Sequence, residues 1–136
     1  MSNAVMVVLD TNILVSSLWL ESGNTASIIK RIPRLIIPCF NDKILSEYAE
    51  VLCRPKFSFS VDKRESLLSK IKDYGIEHLP DESEEAMLDE DDRIFYDTAK
   101  SSGSVLITGN IRHYPTALFI MTPSDFLKKY DDGLEG

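Results

Sequence analysis

Apolar residues in this chain fall into short runs separated by amphipathic stretches. Val5, Val7, Val8 and Leu9 form the first run, and Asp10-Thr11-Asn12 follows at once. A short apolar run closed by polar residues predicts a buried strand. Residues 13–20 read as a helix with Asn12 as its cap. Ser22-Gly23-Asn24 reads as a loop, and 25–32 as a short helix with Ala26 and Ile29 inward. A second strand is predicted at 35–37, closed by Pro38. A helix over 41–52 stops at Arg54-Pro55, because the residue before proline avoids helical geometry. Another helix spans 62–74, with Leu67, Leu68 and Ile71 apolar and Gly75 as its stop. Further strands are expected at 76–79, 105–108 and 118–121, and a helix at 92–101 ends at Gly103. Thr122-Pro123 opens the last helix as cap and first helical residue. Residues 131–136 are predicted to fray.

Strands alternating with helices imply an α/β fold, a three-layer α/β/α sandwich with a mostly parallel sheet of four to five strands. The chain has 136 residues and no linker-like stretch, so one domain is expected, with a core over 5–130. No apolar run approaches the roughly 20 residues of a membrane span, and no signal peptide is visible. The two cysteines, Cys39 and Cys53, lie among apolar residues without metal-binding spacing. Buried free thiols and a cytoplasmic location are the expectation.

Charge changes the picture. Fifteen basic residues against 22 acidic ones give a net charge of −7, which by itself argues against a nucleic-acid partner. The objection weakens if several carboxylates gather around cations, because substrate phosphates then meet metal.

Each carboxylate therefore has a local alternative to a cation-binding role. Asp10 stands at the carboxyl end of the first strand, where open α/β sheets bind ligands. It can cap the following helix or hold a cation. Glu47 borders the apolar arc of Ile44, Tyr48, Val51 and Leu52, where an acid can equally snorkel to solvent. Asp92 lies over Phe95, Tyr96 and Ala99 at the start of its helix. Helix-dipole stabilisation is the alternative account of both Asp91 and Asp92. Asp97 falls about 140° from Asp92, on the face of Arg93 and Lys100, where a solvated ion pair is expected. Asn110 ends the run Val105-Leu106-Ile107-Thr108-Gly109, as a turn residue or an oxygen donor. His78 reads as structural. His113 follows the turn closely enough to reach a substrate.

Together these segments carry a resemblance. Leu-Asp-Thr-Asn, then Ser-Glu-Tyr-Ala-Glu-Val-Leu, then Asp-Glu-Asp-Asp-Arg-Ile-Phe-Tyr-Asp-Thr-Ala, then Leu-Ile-Thr-Gly-Asn, in that order, resemble the PIN domain. The branch they resemble is that of toxin components of toxin–antitoxin pairs. Leu52-Cys53-Arg54-Pro55-Lys56-Phe57 and Ile120-Met121-Thr122-Pro123-Ser124-Asp125-Phe126-Leu127 resemble it as well. The resemblance implies an Mg²⁺- or Mn²⁺-dependent ribonuclease, a small antitoxin partner and a possible homodimer. By position it implies Asp10, Glu47 and Asp92 as catalytic acids, with Asp10 and Asp92 on the metal. Asn110 stands where many members have another Asp, a departure that removes a charge.

Hard divalent cations take oxygen ligands, which fits carboxylates without His or Cys. Thr11, Asn12, Asp97, Asn110 and His113 are expected to support substrate or ligands. Arg54, Lys56, Arg93 and Arg112 are candidates for steering RNA. Two rival functions stay open. One is a PIN-fold binding module without catalysis. The other is an aspartyl phosphohydrolase with Asp10 as nucleophile, against which stands Asn12, where such enzymes usually place a second Asp.

Overall fold

The computed structural model describes residues 4–130. The frayed tail expected at 131–136 lies outside the described residues. Five strands, β1 (Val5–Leu9), β2 (Ile36–Phe40), β3 (Ile76–Glu77), β4 (Val105–Ile107) and β5 (Ile120–Met121), form one sheet in the order β3-β2-β1-β4-β5. Every pairing is parallel. Among the described residues six α-helices accompany it: α1 (Thr11–Trp19), α2 (Asn24–Lys30), α3 (Asp42–Leu52), α4 (Val61–Tyr74), α5 (Arg93–Ser102) and α6 (Pro123–Tyr130). The architecture is the α/β one expected.

The apolar runs become central strands because both sheet faces are covered. Val7, Val8, Leu9, Leu106 and Ile107 are all buried, the signature of a parallel sheet. Helices α3 and α5 are amphipathic, with Ile44, Tyr48 and Leu52 of the first and Phe95 and Ala99 of the second directed into the core. Each such fully buried side chain contributes roughly 1.5–3 kcal/mol.

The strand order fixes where a site can lie. From β1 the chain proceeds outward to β2 and β3, then returns to lay β4 and β5 on the other side of β1. The order therefore reverses between β1 and β4. In open α/β sheets, the carboxyl ends of strands whose connections leave in opposite directions are where ligands bind. The residues at those ends are Asp10 and Thr108.

Several boundaries differ from the sequence expectation. Strand β2 runs through Pro38 instead of ending there, with Val7 paired to Pro38. Phe40 accepts from the His78 N–H on the β3 side, and alternate residues of a strand face the same way. Pro38 thus faces that side too, one step before the pairing with β3 begins at Cys39 opposite Ile76, so its missing N–H costs no ladder bond. Helix α1 begins at Thr11, which places Asn12 inside the first turn and not at the cap. Cys39 is buried as expected, but Cys53 is exposed at the end of α3, where Arg64 donates to its Sγ at 2.7 Å.

Gly75 ends α4 as expected, yet with φ −90° and not in the left-handed form. Its reason is space: a Cβ there would lie 2.4 Å from the Ile71 carbonyl oxygen and 2.6 Å from that of Pro38. Both are backbone atoms that cannot swing away. Gly75→Ala is expected to destabilise the fold by about 2 kcal/mol, read as a lower urea midpoint at unchanged slope. An unmoved midpoint would mean that the entry to β3 yields freely.

Candidate active site

Asp10 is held by the sheet. Its N–H donates to the Ile107 carbonyl at 3.0 Å, tying the ends of β1 and β4 together. Its side chain is only 7% exposed. Although Asp10 occupies the cap position of α1, it makes no side-chain capping bond. Instead Thr108 Oγ1 donates to its Oδ2 at 2.7 Å and the Tyr114 hydroxyl donates to the same atom at 3.0 Å. Burial, with the Asp10 charge, pushes the Tyr114 hydroxyl far above the ordinary tyrosine range, so it remains a donor. Behind the acid, the Tyr48 hydroxyl donates to the Leu9 carbonyl at 2.6 Å. Helix capping therefore does not explain this carboxylate. Its side chain is fixed instead to the loop after β4.

Two further acids face Asp10 from different elements. Glu47, on α3, accepts from Thr11 Oγ1 at 3.1 Å. Burial pushes its carboxyl up; the Thr11 bond opposes this, and the Glu50 and Asp10 charges add to it. Asp92 stands where a 3-10 turn (Glu90–Asp92) passes into α5, again without a side-chain capping bond. Its carboxyl is raised to about 6, first by burial and next by Asp10, then by Asp89, with His113 lowering it and Glu47 raising it. His113 Nδ1 is 3.8 Å from Asp92 Oδ2. A nearby like charge disfavours ionisation, and burial adds to the effect. Glu47 is bonded to Thr11, the residue after Asp10, and Asp92 is 3.8 Å from His113, the residue before the Asp10 partner Tyr114, so the three acids are drawn to one sheet edge.

The loop after β4 is fastened to this edge. The Gly109 N–H donates to Asn12 Oδ1 at 3.2 Å, and the Asn110 N–H donates to Thr108 Oγ1 at 3.0 Å. Asn12 is therefore a strut between α1 and the loop. Asn110 is exposed at the loop's start.

Other expected site residues go elsewhere. Asp97 is 4% exposed, which corrects the solvated ion pair expected for it. Its Oδ2 accepts from the Ser83 N–H at 3.0 Å, while its buried Oδ1 has no partner among the described residues. Arg93 is likewise committed: it donates to the Ser83 and Glu85 carbonyls, both at 2.7 Å, and pairs with Glu90. These two residues strap the acidic segment along α5. Asp97 thus shares the face of Arg93, as the helical period places it, but that face is covered and not solvated. Asp91 is exposed, and Asp89 caps its N–H. Arg54 pairs with Glu50 at 2.9 Å. His78 bonds Ser101 at 2.6 Å, in keeping with a structural role.

The sequence reading missed Thr108 and Tyr114 as partners of Asp10, and Asn41 as a hub. Asn41 caps α3 by accepting from the Ile44 N–H, and its amide donates to Thr98 and to the His78 carbonyl. A polar residue at each strand's carboxyl end was the available signal. Nothing local marked Tyr114.

The donor set at this edge is oxygen throughout, as a hard divalent cation requires. Both hydrogen bonds to Asp10 land on one oxygen, and the mutual repulsion of Asp10 and Asp92 is what a cation would relieve. As they stand, no group of three His, Cys, Asp or Glu among the described residues is arranged to hold a metal ion. The fit therefore rests on Asp10 and Asp92, with Glu47 beside them. No described helix is long and apolar enough to cross a membrane.

No curated protein matches the chain. Among solved structures, a chain in the VapBC2 structure from Rickettsia felis, bound to a DNA fragment from its promoter, has a TM-score of 0.53. The match covers 87% of this chain and 97% of that one at 14% identity, a likeness of fold. The family model for the PIN domain matches residues 6–112. With the acids at the β1/β4 edge, the order of motifs and that match, the chain belongs to the PIN domain family.

Proposed function

We propose that this protein is a divalent-metal-dependent endoribonuclease, the toxin of a toxin–antitoxin pair. The observation that carries the nuclease reading is Asp10 at the reversal of strand order, with Glu47 bonded to the adjoining Thr11 and Asp92 3.8 Å from His113, the neighbour of the Asp10 partner Tyr114. Asp10 and Asp92 would hold an Mg²⁺ or Mn²⁺ ion. The bound ion would lower the pKa of a water and offset charge developing on the phosphate. Glu47, with its raised carboxyl, is suited to accept a proton from the attacking water. Thr11 holds Glu47 in place through its hydroxyl. Asn12 fixes the 109–110 turn, and Asn110, with His113 at 3.8 Å from Asp92, would meet the RNA phosphate. With no acid at Asn110, one cation per chain is expected. The toxin role is supported by the motif order and by a structural neighbour solved in the VapBC2 assembly.

The test is cleavage of a labelled single-stranded RNA with Mn²⁺ or Mg²⁺. Activity is expected to vanish with EDTA and to return when either ion is restored. Cleavage unaffected by EDTA would exclude the metal-dependent reading. A second reading, a PIN-fold binding module without catalysis, is favoured by Asn110. RNA binding without cleavage at any metal concentration would support it.

A further inference from the structure

We infer that Tyr114 is a positioning residue for the proposed cation: with Thr108 it holds Asp10 Oδ2, so that Asp10 Oδ1 is the oxygen offered to the metal. The inference rests on the metal-dependent reading above and deepens it.

Two hydroxyl donors converge on one carboxylate oxygen, at 2.7 and 3.0 Å. They come from the two ends of a single loop. Thr108 continues β4 and its N–H is fixed to the Met121 carbonyl at 3.0 Å. Its hydroxyl accepts from the Asn110 N–H, which leaves its one proton for Asp10. Tyr114 closes the 3-10 turn Ile111–His113 and is 6% exposed. A carboxylate rotates about its last torsion and can exchange its two oxygens. Bonds from two rigid elements to one of them stop that exchange and leave the other aimed. Metal ligands are commonly oriented in this way by hydrogen bonds to their non-ligating atoms. The need is greater here, because Asn110 withholds a carboxylate and each remaining acid carries more of the binding.

The two groups missed by sequence reasoning thus act on the opening acid of the site. Tyr114→Phe removes the hydroxyl and keeps the buried ring. Mn²⁺ titration of the full chain by calorimetry, without RNA, is expected to show affinity about tenfold weaker. At saturating Mn²⁺, kcat for RNA should return to near the wild-type value with KM for RNA unchanged. Thr108→Val acts on the same oxygen and is expected to shift affinity in the same direction, should the first variant fold poorly. Wild-type Mn²⁺ affinity in folded variants, whatever their melting temperature, would overturn the inference and leave the metal site standing. Absence of Mn²⁺ binding by the wild type itself would overturn both.

Discussion

Asp10→Asn is expected to lower metal-dependent RNA cleavage by on the order of 10²–10³-fold, the usual consequence of losing one preorganised electrostatic partner. The substitution separates chemistry from folding. Asparagine retains an oxygen that can accept from Thr108 and Tyr114, so the buried hydroxyls keep their partner. What changes is the charge and the other atom, which becomes an amide nitrogen unable to bind a cation. Asp10→Ala differs: it strips the acceptor from two buried donors, at a cost of about 1–3 kcal/mol for each group left unsatisfied. The pair is read by cleavage rate at fixed Mn²⁺ and by melting temperature in EDTA. Asn should be inactive and stable, Ala inactive and destabilised. Cleavage that survives Asp10→Asn would remove this acid from the site.

The expectations that held are those encoded locally. The strand ending in Asp10 is a run of apolar residues with a sharp polar end, and no tertiary information is needed to see it. Helix α3 with Glu47 at the edge of its apolar arc is legible for the same reason. The failures share a different cause. For Asp97 and Arg93 the helical angle gives the right face but not its burial, because a polar face need not meet water. Here the segment between β3 and α5 folds back and covers that face, an outcome set by contacts between residues eight to fourteen positions apart. Pro38 reads as a strand end on local grounds, yet β2 passes through it because its neighbour begins one step later. Thr108 and Tyr114 were missed because their partner lies about a hundred positions away. Only the reversal of strand order at β1/β4 brings them together.

Asp92→Asn is expected to abolish cleavage while making the metal-free protein more stable at neutral pH. The carboxyl has an ordinary value of 3.8 and is raised to about 6 in the fold, by burial and then by the charge of Asp10. The folded form therefore binds this proton more tightly than the unfolded chain does. Below pH 4 both states are protonated and the group is neutral in effect. As pH rises from 4 to 6 the fold must accept a charge it disfavours, and above 6 the full penalty persists. A shift of this size corresponds to at most about 3 kcal/mol. With the side chain 20% exposed, solvent screening brings it nearer 1–2 kcal/mol. No side-chain hydrogen bond is lost, since Asp92 makes no capping bond and His113 stands off at 3.8 Å. In EDTA at pH 7 the variant should melt a few degrees above the wild type, and the difference should close toward pH 4. Added Mn²⁺ should reverse the order, because binding stabilises only the protein that retains the carboxylate. A variant less stable than the wild type in EDTA at pH 7 would show that Asp92 serves the fold, and that its unfavourable charge is not held in place for a cation.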